Sequence, residues 1–216
     1  MRVLLAALAC VFLTGAFAQT PEERLFEAIE DDKPLVAEGI VARGKVNLDA
    51  RNKDRETALH RAIEKGYKEL AAMLVRAGAP LGALTQTGET PLHYAALYAE
   101  TDFMELLLDG KPGSKADVRA RNDDGESVLQ WAVMSGNAAT ARLLLERGAD
   151  PKAVDLKGNT LLHAAADGGY AALASAFLGL GVDPRQRNRE GKRPIQIGRE
   201  RGHAEIVKLL ERFEKE

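Results

Sequence analysis

The chain has 216 residues, 30 basic and 32 acidic side chains for a formal net charge of −2, and 45% hydrophobic residues. This balance gives no general nucleic-acid footprint, and the apolar content is ample for a folded core. A single cysteine, Cys10, excludes a disulfide framework.

In chain order, Met1-Arg2 precedes an apolar stretch from Val3 to Phe17 that closes on Ala16-Phe17-Ala18. The stretch is shorter than the roughly 20 residues a spanning helix needs. A charged start, an apolar centre and a small-x-small end form the pattern of a cleaved secretory leader. Cleavage is expected after Ala18, which leaves a chain from Gln19 that is not inserted in a membrane. A lipid anchor at Cys10 fits less well, since Ala7-Leu8-Ala9 leaves too short an apolar core ahead of it. After Ala18 there is no cysteine, and no Asn-x-Ser/Thr acceptor occurs in the chain. Together with the short leader, this favours a bacterial periplasmic or secreted destination.

Residues 19–52 hold two short apolar-periodic segments, Leu25-Phe26-Glu27-Ala28-Ile29 and Val36-Ala37-Glu38-Gly39-Ile40-Val41, read as the helices of a degenerate first unit. From there one phrase recurs: Thr57-Ala58-Leu59-His60, Thr90-Pro91-Leu92-His93, Ser127-Val128-Leu129-Gln130, Thr160-Leu161-Leu162-His163 and Arg193-Pro194-Ile195-Gln196, at steps of 33, 37, 33 and 33 residues. A small residue follows at a fixed offset (Ala62, Ala95, Ala132, Ala165, Gly198), then in four copies a glycine (Gly66, Gly136, Gly169, Gly202) and a second apolar run such as Leu143-Leu144-Leu145. Each unit reads turn, short helix, turn, second helix. Helices this short are marginal alone and must stack on copies of themselves. The irregular step places four extra residues near 109–115, an exposed Pro-Gly loop. At the C-terminus, Ile206, Val207, Leu209 and Leu210 keep an inward stripe while Lys208, Glu211 and Arg212 make the outer face polar.

These phrases, with Gly136-Asn137 through Gly148-Ala149-Asp150 and Gly202-His203-Ala204-Glu205-Ile206-Val207-Lys208-Leu209-Leu210, resemble the ankyrin repeat family from about Pro21 to the end of the chain. The resemblance implies an all-α repeat solenoid of about six helix-turn-helix units with β-hairpin or turn tips. Residues 19–52 would be the N-terminal cap, 53–188 the repeats and 189–216 the C-terminal cap. It also implies a protein partner lying across the tips and the exposed side of each first helix.

Carried onto this chain, that surface has an aromatic and sulfur-bearing centre in two adjacent first helices, Tyr94, Leu97, Tyr98, Trp131 and Met134. The chain has one Trp and four Tyr, so three of five fall here. Tyr94 and Trp131 share a register position with Arg61, Ala164 and Ile197, and both readings stand at this point: a plug between repeats, or a binding hot spot. Leu97 and Tyr98 align with Glu64-Lys65 and Glu200-Arg201 and are expected to be exposed. Around them the tips run from acidic (Glu89, Asp123, Asp124, Glu126) to basic (Lys157, Arg189, Lys192), either an ordinary solvated rim or a dipole that orients the partner.

Nothing converges on catalysis. His60, His93 and His163 occupy one repeated structural position, and His203 belongs to the second-helix start. There is no metal-ligand spacing and no phosphate loop, so neither catalytic residue, cofactor nor metal is expected. The expected function is a non-catalytic protein-binding module, monomeric when free, with no nucleic-acid partner. It would act in the cell envelope on an exported enzyme by inhibiting it, conferring immunity to it or stabilising it. The alternative is a secreted effector that engages host or rival proteins.

Overall fold

The recurring phrase works as a helix start. In its Ser127 copy, the Ser127 hydroxyl accepts from Gln130 N at 3.2 Å while Ser127 N donates to Gln130 Oε1 at 2.9 Å, a reciprocal capping box. Where the third residue on is histidine, its Nδ1 takes the role of Oε1: Thr57 N, Thr90 N and Thr160 N each donate to it at 3.1 Å. The Ser127 copy thereby satisfies two backbone donors within four residues, and each histidine copy satisfies the first of them in the same way.

The computed structural model describes residues 19–98, 101–109 and 115–213. The expected leader with Cys10, and residues 110–114 of the expected loop, lie outside them. Among the described residues twelve helices form six pairs: α1 (Pro21–Glu30) with α2 (Pro34–Ala42), α3 (Ala58–Glu64) with α4 (Lys68–Arg76), α5 (Pro91–Tyr98) with α6 (Thr101–Leu108), α7 (Val128–Met134) with α8 (Ala138–Glu146), α9 (Leu161–Gly168) with α10 (Ala171–Gly179), and α11 (Pro194–Arg201) with α12 (Ala204–Leu210). A 3₁₀ turn, Glu211–Phe213, follows. The odd-numbered helices stack on one another in chain order to form an inner row, and the even-numbered helices pack behind them.

The core lies between the two rows. Leu59, Leu92, Leu129, Leu162 and Ile195 repeat one inward position at 1% exposure or less, and Ala62, Ala95, Ala132 and Ala165 let neighbouring inner helices approach. Phe103, Met104, Leu107, Leu144 and Phe177 seal the outer row from within. A buried leucine of this kind stabilises by about 2 kcal/mol, so the array is held by a ladder of similar contributions rather than by one centre.

At the N-terminal end Thr20 caps α1, its hydroxyl accepting from Glu23 N at 3.1 Å and its own N–H donating to Glu23 Oε2 at 2.9 Å. The tips are tight turns, and the only strand-like feature among the described residues is one antiparallel bridge between Arg121 and Ser127.

Candidate protein-binding face

Five tips precede the inner helices α3, α5, α7, α9 and α11, and each is a five-residue turn organised by its first side chain. Asn52, Thr85, Asn122, Asp155 and Asn188 each accept, through one oxygen, the backbone N–H groups two and four residues on. The same turns close with backbone bonds such as Thr85 N to Glu89 O at 3.0 Å. Successive tips are then tied by one backbone bond each: Gln86 N to Asp54 O, Asp123 N to Thr87 O, Leu156 N to Asp124 O and Arg189 N to Lys157 O, at 2.8–3.0 Å. From beneath, His60 Nε2 reaches Glu89 O at 3.3 Å, His93 Nε2 reaches Glu126 O at 3.4 Å, and His163 Nε2 reaches Lys192 O at 3.0 Å. Each ring therefore joins its own helix start to the next tip. Burial keeps these rings neutral, and it drives the pKa of His60 and His93 down to about 4 and lowers that of His163.

On the concave side, three positions per repeat form a grid: the residue before the phrase, the one four after its start and the one seven after. Through repeats two to six these are Glu56-Arg61-Glu64, Glu89-Tyr94-Leu97, Glu126-Trp131-Met134, Asn159-Ala164-Asp167 and Lys192-Ile197-Glu200. The first row is closed by charge, with Arg61 bonded to Glu64, 3.7 Å from Glu56 and 2.8 Å from Glu30. Burial opposes the Arg61 charge, but the surrounding carboxylates more than offset it and raise its pKa. The last row is bridged by Lys192 Nζ to Glu200 Oε2 at 2.7 Å.

The aromatic centre divides into two kinds of residue. Tyr94 is half-buried, sits edge-on to His60 at 5.1 Å and donates its hydroxyl to Glu56. Burial, then that bond, push its pKa upward. Trp131 is also half-buried, edge-on to His93 at 5.5 Å, and its Nε1–H donates to Glu126 Oε2 at 2.9 Å. Both are struts between helix and tip, the packing role that one of the two readings gave this register position. Tyr98 and Met134, by contrast, are 47% and 49% exposed and supply the open apolar surface. The Tyr98 hydroxyl reaches Glu64 only at 3.4 Å, and its ring lies 6.0 Å from that of Tyr94.

Two of the expected site residues, Glu89 and Leu97, are less exposed than expected, and Glu126 is shared between tip and face. Glu89 is not a rim charge: it is 8% exposed, accepts from the hydroxyls of Thr85 and Thr87 and closes its own turn. Burial works to raise its pKa, but those two hydroxyls more than offset it. Glu126 is half-buried and accepts from Asn122 Nδ2 at 2.9 Å as well as from Trp131. Leu97 is half-buried rather than exposed. Asp123, Asp124 and Lys157 are exposed on the tips.

A feature the sequence reading missed is a hollow of about 630 Å³ over repeats four to six, floored by Met134, Ala164 and Ile197 and walled by Glu126, Asp155 and Asp167 among others. It exists because Ala164 is small where the neighbouring rows carry Trp131 and Ile197. That contrast was present in the register. Among the described residues no group of three or more His, Cys, Asp or Glu side chains is placed to hold a metal, and no helix is long and apolar enough to cross a membrane.

Comparison with known proteins agrees with this geometry. A family model for ankyrin repeats (3 copies) matches residues 25–120, 77–155 and 112–188. The mouse B-cell lymphoma 3 protein homolog is 37% identical over 114 residues, 53% of this chain and 25% of that protein. A Caenorhabditis elegans homolog of the transient receptor potential cation channel subfamily A member 1 is 34% identical over 116 residues, 52% of this chain and 9% of the relative. The chain thus spans a quarter or less of the length of these relatives. In three dimensions it is similar to the crystal structure of the ankyrin repeat domain of Bcl-3, described as a unique member of the IkappaB protein family, with a TM-score of 0.72 at 32% identity over 90% of this chain and 86% of that one. The capped helix starts, the tied tips and these matches together place the chain in the ankyrin repeat family.

Proposed function

We propose that this ankyrin array is a protein-binding module that acts in the bacterial cell envelope, where it regulates an exported enzyme by covering part of its surface. Ankyrin repeats are protein-binding scaffolds, and the observation that carries the reading here is the pair Tyr98 and Met134, about half exposed on a concave face whose backbone is fixed by tip-to-tip bonds. Apolar side chains on a fixed backbone dock with no loss of backbone entropy, and the charged tips around them set orientation and association rate.

The export reading rests on the residue pattern of 1–18, a charged start, an apolar centre and Ala16-Phe17-Ala18. The curated relatives differ widely in their whole-chain roles and share with this chain only the array, so the partner is assigned from compartment and surface, not from them.

Affinity capture from the envelope fraction tests the proposal, with wild-type protein beside a Tyr98→Ala/Met134→Ala variant. One exported enzyme retained by wild type and lost by the variant is expected, and its activity with and without this protein gives the sign of regulation. A partner retained equally by both would remove this face from the account. Absence of any envelope partner would move the reading to a secreted effector.

A further inference from the structure

The hollow over repeats four to six differs from the rest of the concave face in both shape and charge. In repeat two Arg61 fills the middle position and joins Glu56 to Glu64. In repeats three and four Tyr94 and Trp131 fill it and bond to carboxylates at the tips. In repeat six the ion pair between Lys192 and Glu200 spans it. Only Ala164, in repeat five, leaves it empty, and the hollow of about 630 Å³ opens there between Met134 and Ile197.

The charge around this gap is unbalanced. Glu126, Asp155, Asp167, Glu190 and Glu200 line it against Lys157, Lys192 and Arg201, so five carboxylates face three cations. Two of the cations are committed, Arg201 to Asp167 at 2.7 Å and Lys192 to Glu200 at 2.7 Å. Among the described residues the side-chain donors to Glu126 are Asn122 and Trp131, and the side-chain donor to Asp155 is Asn159, all neutral. Those bonds satisfy the oxygens without cancelling the charge. A carboxylate held in this way beside an apolar floor attracts a cation more strongly than one in open water.

We propose that this hollow is a socket for a lysine or arginine side chain on a basic segment of the protein partner. The methylene stem lies on Met134, Ala164 and Ile197 while the charged head approaches Glu126 and the exposed Asp167 and Glu200, the arrangement long cationic side chains adopt at an apolar surface with a polar edge. The inference rests on the protein-binding reading above and deepens it, since it specifies the chemistry that the partner presents beside Tyr98 and Met134.

Panning a phage-displayed library of random twelve-residue peptides on the immobilised protein, in parallel with an Ala164→Trp variant, tests the socket directly. Trp is the residue the neighbouring repeat carries at this position, so the variant keeps a side chain the architecture accommodates, and circular dichroism confirms its fold. Peptides retained by wild type and lost by Ala164→Trp are expected to be rich in Lys or Arg. Their affinity should fall about tenfold or more between low and high salt, and Asp167→Asn/Glu200→Gln should weaken them by roughly fivefold. Retained peptides that are acidic or neutral, identical selections on wild type and Ala164→Trp, or no selection on wild type would each overturn the socket. None of these results depends on the envelope capture, so the wider reading stands or falls separately.

Discussion

Three histidines and two glutamines hold one position in the five full repeats. His60, His93 and His163 make the same two contacts as Gln130, whose Oε1 accepts from Ser127 N and whose Nε2 donates to Asn159 O at 3.3 Å. The imidazoles are held neutral, with the pKa of His60 and His93 depressed by burial to about 4. The unfolded chain therefore takes up protons first as pH falls. The stability these rings contribute is complete above pH ~6.5 and is lost between there and pH ~4. At pH 5.5 the two rings together should cost roughly 2.5 kcal/mol relative to neutral pH. A His60→Gln/His93→Gln variant, which copies the chemistry of repeat four, should show a much flatter pH dependence in urea unfolding, and an unchanged slope would refute the assignment. The aromatic centre is testable at the same scale. Trp131→Ala should destabilise by about 2 kcal/mol, because it removes a half-buried ring and the donor to Glu126, whereas Tyr98→Ala should stay within about 0.5 kcal/mol. Thermal unfolding separates the strut from the anchor.

The tip is the element in which local sequence and the stacking of repeats meet. Its fourth residue has positive φ in every copy: Gly88 at 84°, Gly125 at 74°, Gly158 at 77°, Gly191 at 77°, but Arg55 at 60° in the first. At Gly88 a side chain would also collide with the next tip, since an added Cβ would lie 2.5 Å from Asp123 Oδ1 and 2.7 Å from Asp123 N. Gly88→Ala should thus cost about 2 kcal/mol and loosen the contact between tips, while Arg55→Gly should stabilise by roughly 0.5–1 kcal/mol. Melting temperatures moving in opposite directions would support this account of the tip. The tips also mark the limit of what could be read from residues alone. The period and the helix starts were legible because each phrase carries its own cap, and the small residue after it signals close packing. The inward turn of Glu89 was not, because a carboxylate in a polar turn looks solvated until Thr85 and Thr87 are seen to donate to it. Likewise Trp131 showed a concentration of aromatics, but its bond to Glu126 depends on how the tip folds back over the helix.

Among the described residues the main helix packing is within a repeat or between neighbouring repeats, and the surface is shaped by what each repeat places at a few shared positions. This gives the concave face a sequence of its own: ion pairs at both ends, aromatic struts and exposed Tyr98 and Met134 in the centre, and an open hollow at Ala164. In the proposed reading the exposed acids on the tips, Asp123 and Asp124, guide the approach of the partner rather than making its final contacts. Asp123→Asn/Asp124→Asn should slow association severalfold and reduce its salt dependence, with dissociation nearly unchanged in stopped-flow or surface-plasmon traces. The central claim, that the inner face is the binding surface, is tested most directly by hydroxyl-radical footprinting with mass spectrometry on the free protein and on its complex with the captured envelope partner. Strong loss of labelling at Tyr98 and Met134, with Leu35 on α2 and Leu180 beyond α10 still labelled, is the expected result. Full labelling of Tyr98 and Met134 in the complex would contradict the account.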